Sequence, residues 1–358
     1  MLSVRIRPVG AWRWLALLFV VMPTLLFAQN ETGVGFKAIT LPDPVNGGTM
    51  PGYVFYPSAQ ATGITAVGPY DVHATRNAPP IPGAKALVVI SHGNGGSDLG
   101  HSELAVYLAR HGFIVATLEH PKDNFHDTSG VGHSPVLVGR PIQVKATIST
   151  LLADPQWNKL IDANRIGVAG FSAGGYTSLL LVGAVPHFAR FIDYCHRYPK
   201  DDAICHDADK VEAEAHREGK TLEQWIAGIQ DSLARWGDTA DPRVKAAFAM
   251  APLSLIFEQD GIAKIDRPVF LYYGDADHVL RPSENEVRIR PWMKTLAGVK
   301  VVHNADHWVF IDPCSAELAK ENPVICSDPP GVDRKKVHAQ LYADAVVFFQ
   351  KTLNSSAP

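Results

Sequence analysis

The sequence predicts an α/β fold with a mostly parallel central sheet that is flanked by helices. Short apolar runs bounded by Gly, Pro and Asn alternate with longer segments of helical pattern, as in α/β proteins. Continuous Val, Ile and Leu content is typical of strands that are buried on both faces. An antiparallel entry strand is predicted at residues 53–56. The buried strands are predicted at residues 86–91, 113–118, 165–169, 244–250, 268–273 and 299–303.

Helices are predicted between these strands from their terminal residues. Residues 98–110 form a helix that ends before Gly112, and residues 141–152 form another with Pro141 at its first position. Apolar residues at helical spacing near the end of the chain predict a closing helix. Its inner face carries Val337, Leu341, Ala345 and Phe348.

A polar segment at about residues 182–241 interrupts the alternation and predicts a helical insertion. Thr221 and Gln224 form a capping-box pattern, which marks the start of a helix. In an enzyme this helix would cover the site as a lid, or it would pack on the core without touching substrate. Its apolar face comprises Leu222, Trp225, Ile226, Ile229, Leu233 and Trp236.

The N-terminus has the pattern of a secretory signal. Three arginines precede an apolar run at residues 14–27, and Ala28 suits a signal peptidase. We therefore predict a signal peptide at residues 1–28 and a periplasmic or secreted domain at residues 29–358. Leu26 is bulky for a cleavage site, so an uncleaved anchor is the alternative, although the run is shorter than the roughly 20 residues that span a bilayer.

Composition excludes several classes of partner. The formal net charge is -3 and long Lys/Arg runs are absent, so neither nucleic acid nor an anionic membrane surface is expected as a partner. We expect a small, largely uncharged substrate. The oligomeric state does not follow from the sequence.

Four cysteines fall into two local pairs, which an oxidising compartment would close as disulfides. We predict bonds between Cys195 and Cys205 and between Cys314 and Cys326. Three connectivities are open in principle, as are four unpaired thiols. No cysteine or histidine cluster has zinc spacing, so no metal site is predicted.

A G-x-S-x-G motif at residues 170–174 lies where a buried strand meets an apolar helix. Such a tight turn lifts its serine to the top of the sheet, where the helix amides favour developing negative charge. Ser172 is therefore the predicted nucleophile. The alternative is a glycine-rich turn with an ordinary capping serine.

A serine nucleophile needs a histidine to accept its proton and an acid to orient that histidine. In a fold with this turn the order along the chain is serine, acid, histidine. Asp277 is preferred to Asp275 as the acid because it lies further from the strand end. His307 is preferred to His303, which is predicted to belong to the strand. The carboxylate adjacent to His307, Asp306, is interpreted as a surface group.

Backbone amides must also stabilise the oxyanion that forms during attack. Ala173, which follows the nucleophile, is predicted to supply one of them. The glycine-rich loop at residues 91–96 is predicted to supply the other from Asn94, with Gly95 as the alternative. His92 is interpreted as a residue that ties this loop together. Solvated or supporting roles are assigned to His101, His120, His126 and His133.

These motifs together resemble the bacterial predicted dienelactone hydrolases, a group similar to the platelet-activating factor acetylhydrolases. The resemblance implies an α/β-hydrolase fold, a Ser/Asp/His triad, no cofactor, and hydrolysis of esters with short or modest acyl groups. On this fold the segment at about residues 182–241 would be the helical lid-like insertion. True dienelactone hydrolases use a cysteine nucleophile, so Ser172 argues against literal lactone activity. The resemblance is carried by residues 91–96, 118–120, 140–141, 170–175, Asp277 and His307.

The sequence thus predicts an exported serine esterase that acts through an acyl-enzyme. A peptidase or an acyltransferase would use the same triad, because pockets select the leaving group. A protein that keeps the fold but only binds ligands is the alternative outside enzymes.

Overall fold

The structure is a computed structural model that describes residues 32–354, apart from the side chains of residues 206–208. The predicted signal peptide and the alternative anchor lie outside the described residues. Within residues 32–354 no helix is both long and apolar enough to cross a membrane.

Strands of the described chain form a large sheet and a separate two-stranded hairpin. The large sheet has nine strands in the order β11-β10-β9-β8-β6-β7-β2-β1-β5, and β3 pairs with β4. In chain order the strands are β1 (Gly33–Pro42), β2 (Thr49–Ser58), β3 (Thr65–Val67), β4 (Tyr70–Val72), β5 (Thr75–Arg76), β6 (Lys85–Ser91), β7 (Ile114–Leu118), β8 (Ile161–Phe171), β9 (Val244–Met250), β10 (Val269–Gly274) and β11 (Leu296–Val302).

The sheet is parallel where the sequence predicts buried strands. β7, β6, β8, β9, β10 and β11 pair in parallel, whereas β2 pairs antiparallel with both β1 and β7. The predicted α/β architecture and its antiparallel entry are therefore what the structure shows. The carboxyl ends of all six parallel strands meet at one edge, where loops can build a site.

Alternation along β6 explains why its sequence is apolar throughout. Leu87 and Val89 pack into the core on one face of the sheet, and Val88 and Ile90 pack into the core on the other. Successive side chains of a strand point to opposite faces, so a strand covered by helices on both sides needs apolar residues at every position.

Helices cover both faces of the sheet, and their ends deviate slightly from prediction. The predicted helix at residues 98–110 begins only at Ser102, because residues 97–101 form turns. It ends as predicted before Gly112, which has a φ of 94°. The helices are α1 (Ser102–Arg110), α2 (Ser134–Leu137), α3 (Gly139–Ala153), α4 (Ala173–Leu181), α5 (Arg190–Arg197), α6 (Asp202–Arg217), α7 (Leu222–Trp236), α8 (Gln259–Ile262), α9 (Glu286–Ile289), α10 (Ala316–Glu321), α11 (Pro323–Cys326) and α12 (Arg334–Asn354), with 3-10 turns at Arg290–Trp292 and His307–Phe310.

The polar segment at residues 182–241 contains three helices, α5, α6 and α7. The predicted capping box is present at the start of α7: the Gln224 amide donates to Thr221 Oγ1, and the Thr221 amide donates to Gln224 Oε1. Ile226 and Ile229 on the predicted apolar face are buried. We call α5, α6 and α7 with their connections, residues 188–236, the roof.

Both disulfides have the predicted pairing. Cys195 bonds to Cys205 and thereby links α5 to α6. Cys314 bonds to Cys326 in the segment that follows the 3-10 turn His307–Phe310. No cysteine of the described chain is free.

Candidate active site

Ser172 occupies the sharp turn between β8 and α4. Its φ is 54° and its ψ is -115°, a backbone conformation that is strained for a residue with a side chain. The Ser172 amide donates to the Met250 carbonyl at 2.9 Å, which helps to hold this conformation. A Cβ atom at Gly170 would lie 2.2 Å from the Gly174 carbonyl oxygen, and one at Gly174 would lie 1.9 Å from the Ser91 carbonyl oxygen. Only glycine therefore fits two residues before and two residues after this serine.

Asp277 and His307 form a buried pair at the same edge of the sheet. His307 Nδ1 lies 2.7 Å from Asp277 Oδ2. The other carboxylate oxygen, Oδ1, accepts the amides of Val279 at 2.9 Å and Leu280 at 2.7 Å. A carboxylate held in this way can accept a proton from His307 Nδ1, and in that tautomer Nε2 is free to accept one.

Ser172 and His307 line one cavity of about 340 Å³, together with Asn94 and Ala173. No hydrogen bond between the Ser172 hydroxyl and the His307 ring is present in the part of the chain that the structure describes. Such bonds are often long in a free enzyme and shorten when substrate binds. The Phe171 ring, whose centroid is 4.7 Å from that of His307, packs against the imidazole and restricts its position.

A second Asp–His pair lies nearby and is exposed. His303 Nδ1 is 2.8 Å from Asp275 Oδ2, and the exposed fractions of these two side chains are 87% and 41%. The prediction that His303 belongs to the strand is wrong by one residue, because β11 ends at Val302, opposite the last residue of β10. His303 lines no part of the Ser172 cavity.

Asp306 does more than the predicted surface carboxylate. Its Oδ1 atom accepts the amide of His307 at 2.7 Å and that of His278 at 2.9 Å. The side chain therefore caps the 3-10 turn that begins at His307 and ties this turn to the loop of Asp277. The position of Asp306 next to a histidine in the sequence does not indicate this capping role. The role depends on contact between two loops that are distant in the sequence.

The glycine-rich loop after β6 brings Asn94 to the cavity beside Ala173. The alternative donor, Gly95, is engaged elsewhere, because its amide donates to Asp123 Oδ1 at 3.1 Å. Among the residues that the structure describes, the amides of Asn94 and Ala173 have no acceptor. Both remain available for an oxyanion.

A buried Arg140–Asp123 ion pair supports this loop, and sequence reasoning missed its role. Arg140 is 1% exposed, and its guanidinium contacts the Asp123 carboxylate and donates to the His92 carbonyl. It also donates to Ser91 Oγ at 3.1 Å. Removing one member of such a buried pair typically costs about 3–5 kcal/mol, because the other charge stays uncompensated.

Two buried histidines fasten the same loop. His92 Nδ1 lies 2.6 Å from the Gly93 carbonyl, and its Nε2 accepts the His120 amide at 3.0 Å. His120 itself bridges Ser91 Oγ at 2.8 Å and Gln143 Oε1 at 2.7 Å. Burial, with the nearby Arg140 charge, lowers the pKa of both rings well below 6.5. Both histidines therefore stabilise the loop as neutral hydrogen-bonding groups.

The other histidines without a predicted partner lie in different environments. Burial lowers the pKa of His101 to about 3, so this ring is neutral and packed. His133 pairs with Glu214 of the roof at 3.2 Å, and His126 is exposed. None of the three lines the cavity of Ser172.

Glu286 is a buried carboxyl that the sequence did not single out. It is fully buried, and neither carboxyl oxygen has a hydrogen-bond partner in the described chain. Burial raises its pKa well above 4.5, and the negative charge of Asp277 adds to this shift. The surroundings of Glu286 therefore favour its protonated form.

Within the described residues, Glu103, Asp312 and His338 form a group whose potential ligand atoms lie within 4.8 Å of one another. Hydrogen bonds occupy these atoms. His338 Nε2 lies 2.7 Å from the Val309 carbonyl, and its Nδ1 lies 2.6 Å from the Tyr342 hydroxyl. Asp312 accepts the Glu103 amide at 2.7 Å. The donor set fits an anchor behind the His307 turn better than a metal centre.

The roof supplies much of the cavity wall. The loop before α2 and several loops at the edge of the sheet supply the rest of the cavity wall. Thus α7 does not pack on the core alone, as one reading of the sequence allowed. The roof residues that line the cavity are Phe188, Phe191, Ala203, Ile204, Val211 and Ile226.

Comparison with known proteins agrees with this architecture. Residues 53–131 match the family model of platelet-activating factor acetylhydrolase, isoform II. This segment includes most of β2 and all of β6, the glycine-rich loop and β7. The solved structure of a ferulic acid esterase from Streptomyces cinnamoneus is similar with a TM-score of 0.59 and 20% identity, over 92% of this chain and 93% of that chain. No curated protein sequence matches significantly.

The structural similarity confirms the predicted fold class. The chain has the fold of the α/β-hydrolases, with a mostly parallel sheet and flanking helices, and the resemblance to platelet-activating factor acetylhydrolases is supported by the matching segment. Both named proteins are ester hydrolases by description, in agreement with the prediction of a carboxylic ester hydrolase.

Proposed function

We propose that this protein is an exported serine esterase in which Ser172 attacks the ester carbonyl carbon. The Ser172 proton passes to His307 Nε2, while Asp277 holds the ring and stabilises its positive charge. The amides of Asn94 and Ala173 donate to the carbonyl oxygen as it becomes negative. The observation that carries the proposal is that His307, which is paired with the buried Asp277, lines the same cavity as a strained serine.

The second half of the reaction releases the acid. When the tetrahedral intermediate collapses, the carbon–oxygen bond to the alcohol breaks and the alcohol takes the proton from His307. Water then attacks the acyl group on Ser172 and gives its proton to His307 Nε2. That proton returns to Ser172 Oγ as the carboxylic acid leaves, so the enzyme is unchanged and no cofactor takes part.

Export is part of this proposal and rests on two observations. The N-terminal segment at residues 1–28 has the composition of a secretory signal. Two disulfides are stable in an oxidising compartment, and both pairs of cysteines are bonded. Mass spectrometry of the protein purified from an extracytoplasmic fraction should find an N-terminus at Gln29. An N-terminus at residue 1 would instead favour the uncleaved anchor.

Replacing the nucleophile tests the proposed activity. For Ser172→Ala we expect kcat on p-nitrophenyl esters to fall roughly 10⁶-fold, because the acyl-enzyme cannot form. Ser178→Ala is the matched control: this serine lies on α4, the helix that follows Ser172, and its hydroxyl donates to the Gly174 carbonyl at 3.0 Å. It should keep near wild-type activity. Substantial hydrolysis by Ser172→Ala would assign the reaction to another nucleophile.

Two further measurements separate the alternatives. A fluorophosphonate should label the wild-type protein at Ser172 and leave Ser172→Ala unlabelled, whereas a protein that only binds ligands would not react. Rates on peptide amides and with alcohol acceptors, compared with rates on esters, distinguish an esterase from a peptidase or an acyltransferase on the same triad. We expect the esters to be hydrolysed fastest.

A further inference from the structure

The cavity around Ser172 is apolar except at the reacting centre. None of its described lining side chains is that of Asp, Glu, Lys or Arg. The polar side chains are those of Asn94, Ser172 and His307, with the indole of Trp308 next to the imidazole. A charged group bound deeper in this cavity would lose water and gain no partner, which costs several kcal/mol.

The roof covers part of this cavity and contacts the loop before α2, among other segments of the body. A Cβ atom at Gly132 would lie 2.5 Å from Val211 Cγ2 of α6, so the loop before α2 and α6 are in close contact there. Trp225 Nε1 donates to the Gly132 carbonyl at 3.4 Å, and His133 pairs with Glu214. The volume beneath the roof is therefore defined by packed side chains.

Ile226 is the residue through which α7 reaches the cavity. It lines the cavity and is 6% exposed, whereas Ile229, one turn further along the same helix, is 4% exposed and does not line it. The two isoleucines thus differ in their access to substrate and are alike in type, burial and helix. They form a natural pair for separating specificity from stability.

Building on the proposed esterase function, we propose that the substrate is an ester with an uncharged, apolar acyl group, which lies beneath the roof, and that Ile226 limits the acyl length. The acyl group stays bonded to Ser172 after the alcohol has left, and water must then reach the carbonyl from the side that the alcohol vacated. An apolar pocket beneath the roof suits the acyl group, which is the half of the ester that remains bound. A volume of about 340 Å³ lies in the range of small-molecule sites.

The first test varies charge at constant acyl size on the wild-type enzyme. We expect kcat/KM for p-nitrophenyl butyrate to exceed that for p-nitrophenyl hemisuccinate by more than about a hundredfold, because the second acyl group carries a carboxylate into the cavity. A series of acetate esters with different alcohols should vary much less than a series of acyl chains. Equal rates on butyrate and hemisuccinate, or a stronger dependence on the alcohol than on the acyl group, would overturn the proposal.

The second test uses the isoleucine pair. In Ile226→Ala the ratio of kcat/KM on p-nitrophenyl decanoate to that on the butyrate should rise about tenfold over wild type, since a few methylene groups gain space. Ile229→Ala should lower thermal stability by a similar amount and leave the ratio unchanged. If Ile226→Ala does not fold, Ile226→Val carries the same test with a smaller shift. A ratio that moves equally in both alanine variants would refute the role of Ile226.

Failure of this inference is distinguishable from failure of the proposed function. If hydrolysis depends on Ser172 but neither charge nor acyl length affects the rate, the esterase proposal stands and the inference is wrong. If Ser172→Ala retains the activity, the esterase proposal itself is wrong.

Discussion

Two Asp–His pairs lie at the carboxyl end of the sheet, and burial separates them. The Asp277–His307 pair is buried and its histidine lines the cavity of Ser172, whereas the Asp275–His303 pair is largely exposed. Both have a hydrogen bond from Nδ1 to a carboxylate, at 2.7 Å and 2.8 Å. Geometry within each pair therefore does not distinguish them, but their surroundings do.

Matched amide substitutions test this distinction. Asp277→Asn should lower kcat about 10⁴-fold, because an amide no longer holds the His307 proton on Nδ1. Asp275→Asn should leave kcat close to wild type, since water surrounds that pair and can replace its hydrogen bond. Both rates would be measured on one p-nitrophenyl ester at neutral pH. Similar losses in the two variants would contradict the assignment of Asp277.

Glu286 provides a pH-dependent test at the same scale. Its folded pKa is raised by burial, so the folded protein binds this proton more tightly than the unfolded chain does. The stability that this group contributes is present below its unfolded pKa of about 4.5, and it is lost as pH rises toward the folded value.

Glu286→Gln should therefore gain stability relative to wild type as pH rises above about 4.5, by up to about 1.4 kcal/mol per pH unit. Denaturant unfolding of both proteins between pH 4 and pH 8 measures this difference. Glutamine has a similar shape and carries no charge, so activity should persist. A stability difference that stays constant with pH would show that the carboxyl is already ionised.

At the scale of elements, the 3-10 turn of His307 is held from several sides. Asp306 caps its start, and the Val309 carbonyl lies 2.7 Å from His338 Nε2 of α12. The Cys314–Cys326 bond closes the segment that follows. The turn thus depends on α12 and on a disulfide as well as on its own residues.

Removing each disulfide in turn tests which element it supports. The double variant Cys314→Ser, Cys326→Ser should lose roughly 3 kcal/mol of stability by loss of loop closure, and its activity on every ester should fall because the histidine turn loosens. The matched variant Cys195→Ser, Cys205→Ser opens a loop of similar length in the roof. It should mainly change the preference for acyl length. Thermal unfolding and kcat/KM on two esters measure both effects, and unchanged activity in the first variant would refute the link to His307.

At the scale of the whole molecule, six parallel strands bring distant loops to one edge of the sheet. Loops after β6, β8, β10 and β11 supply Asn94, Ser172, Asp277 and His307. Their convergence follows from the parallel strand order, because loops at the carboxyl ends of parallel strands emerge on the same side. The alternation of strands and helices in the sequence therefore predicts where the candidate site lies, without knowledge of any side-chain position.

Local patterns in the sequence were sufficient for several features. The glycines around Ser172, the capping box at Thr221 and the pairing of near cysteines each depend on a few neighbouring residues, so steric and hydrogen-bond requirements appear directly in the sequence. The roles of the five proposed site residues remain predictions, although four of them line one cavity and the fifth, Asp277, is hydrogen-bonded to His307.

Other features depended on tertiary structure alone. The Arg140–Asp123 support of the glycine-rich loop, the unpartnered Glu286 and the cap formed by Asp306 join segments that are distant in sequence or depend on burial. A carboxylate or guanidinium looks the same in a sequence whether water or protein surrounds it. The sequence by itself determined the α/β architecture and the strained serine turn, and the packed structure decided which charges are buried and what the cavity can hold, because desolvation depends on all surrounding chains at once.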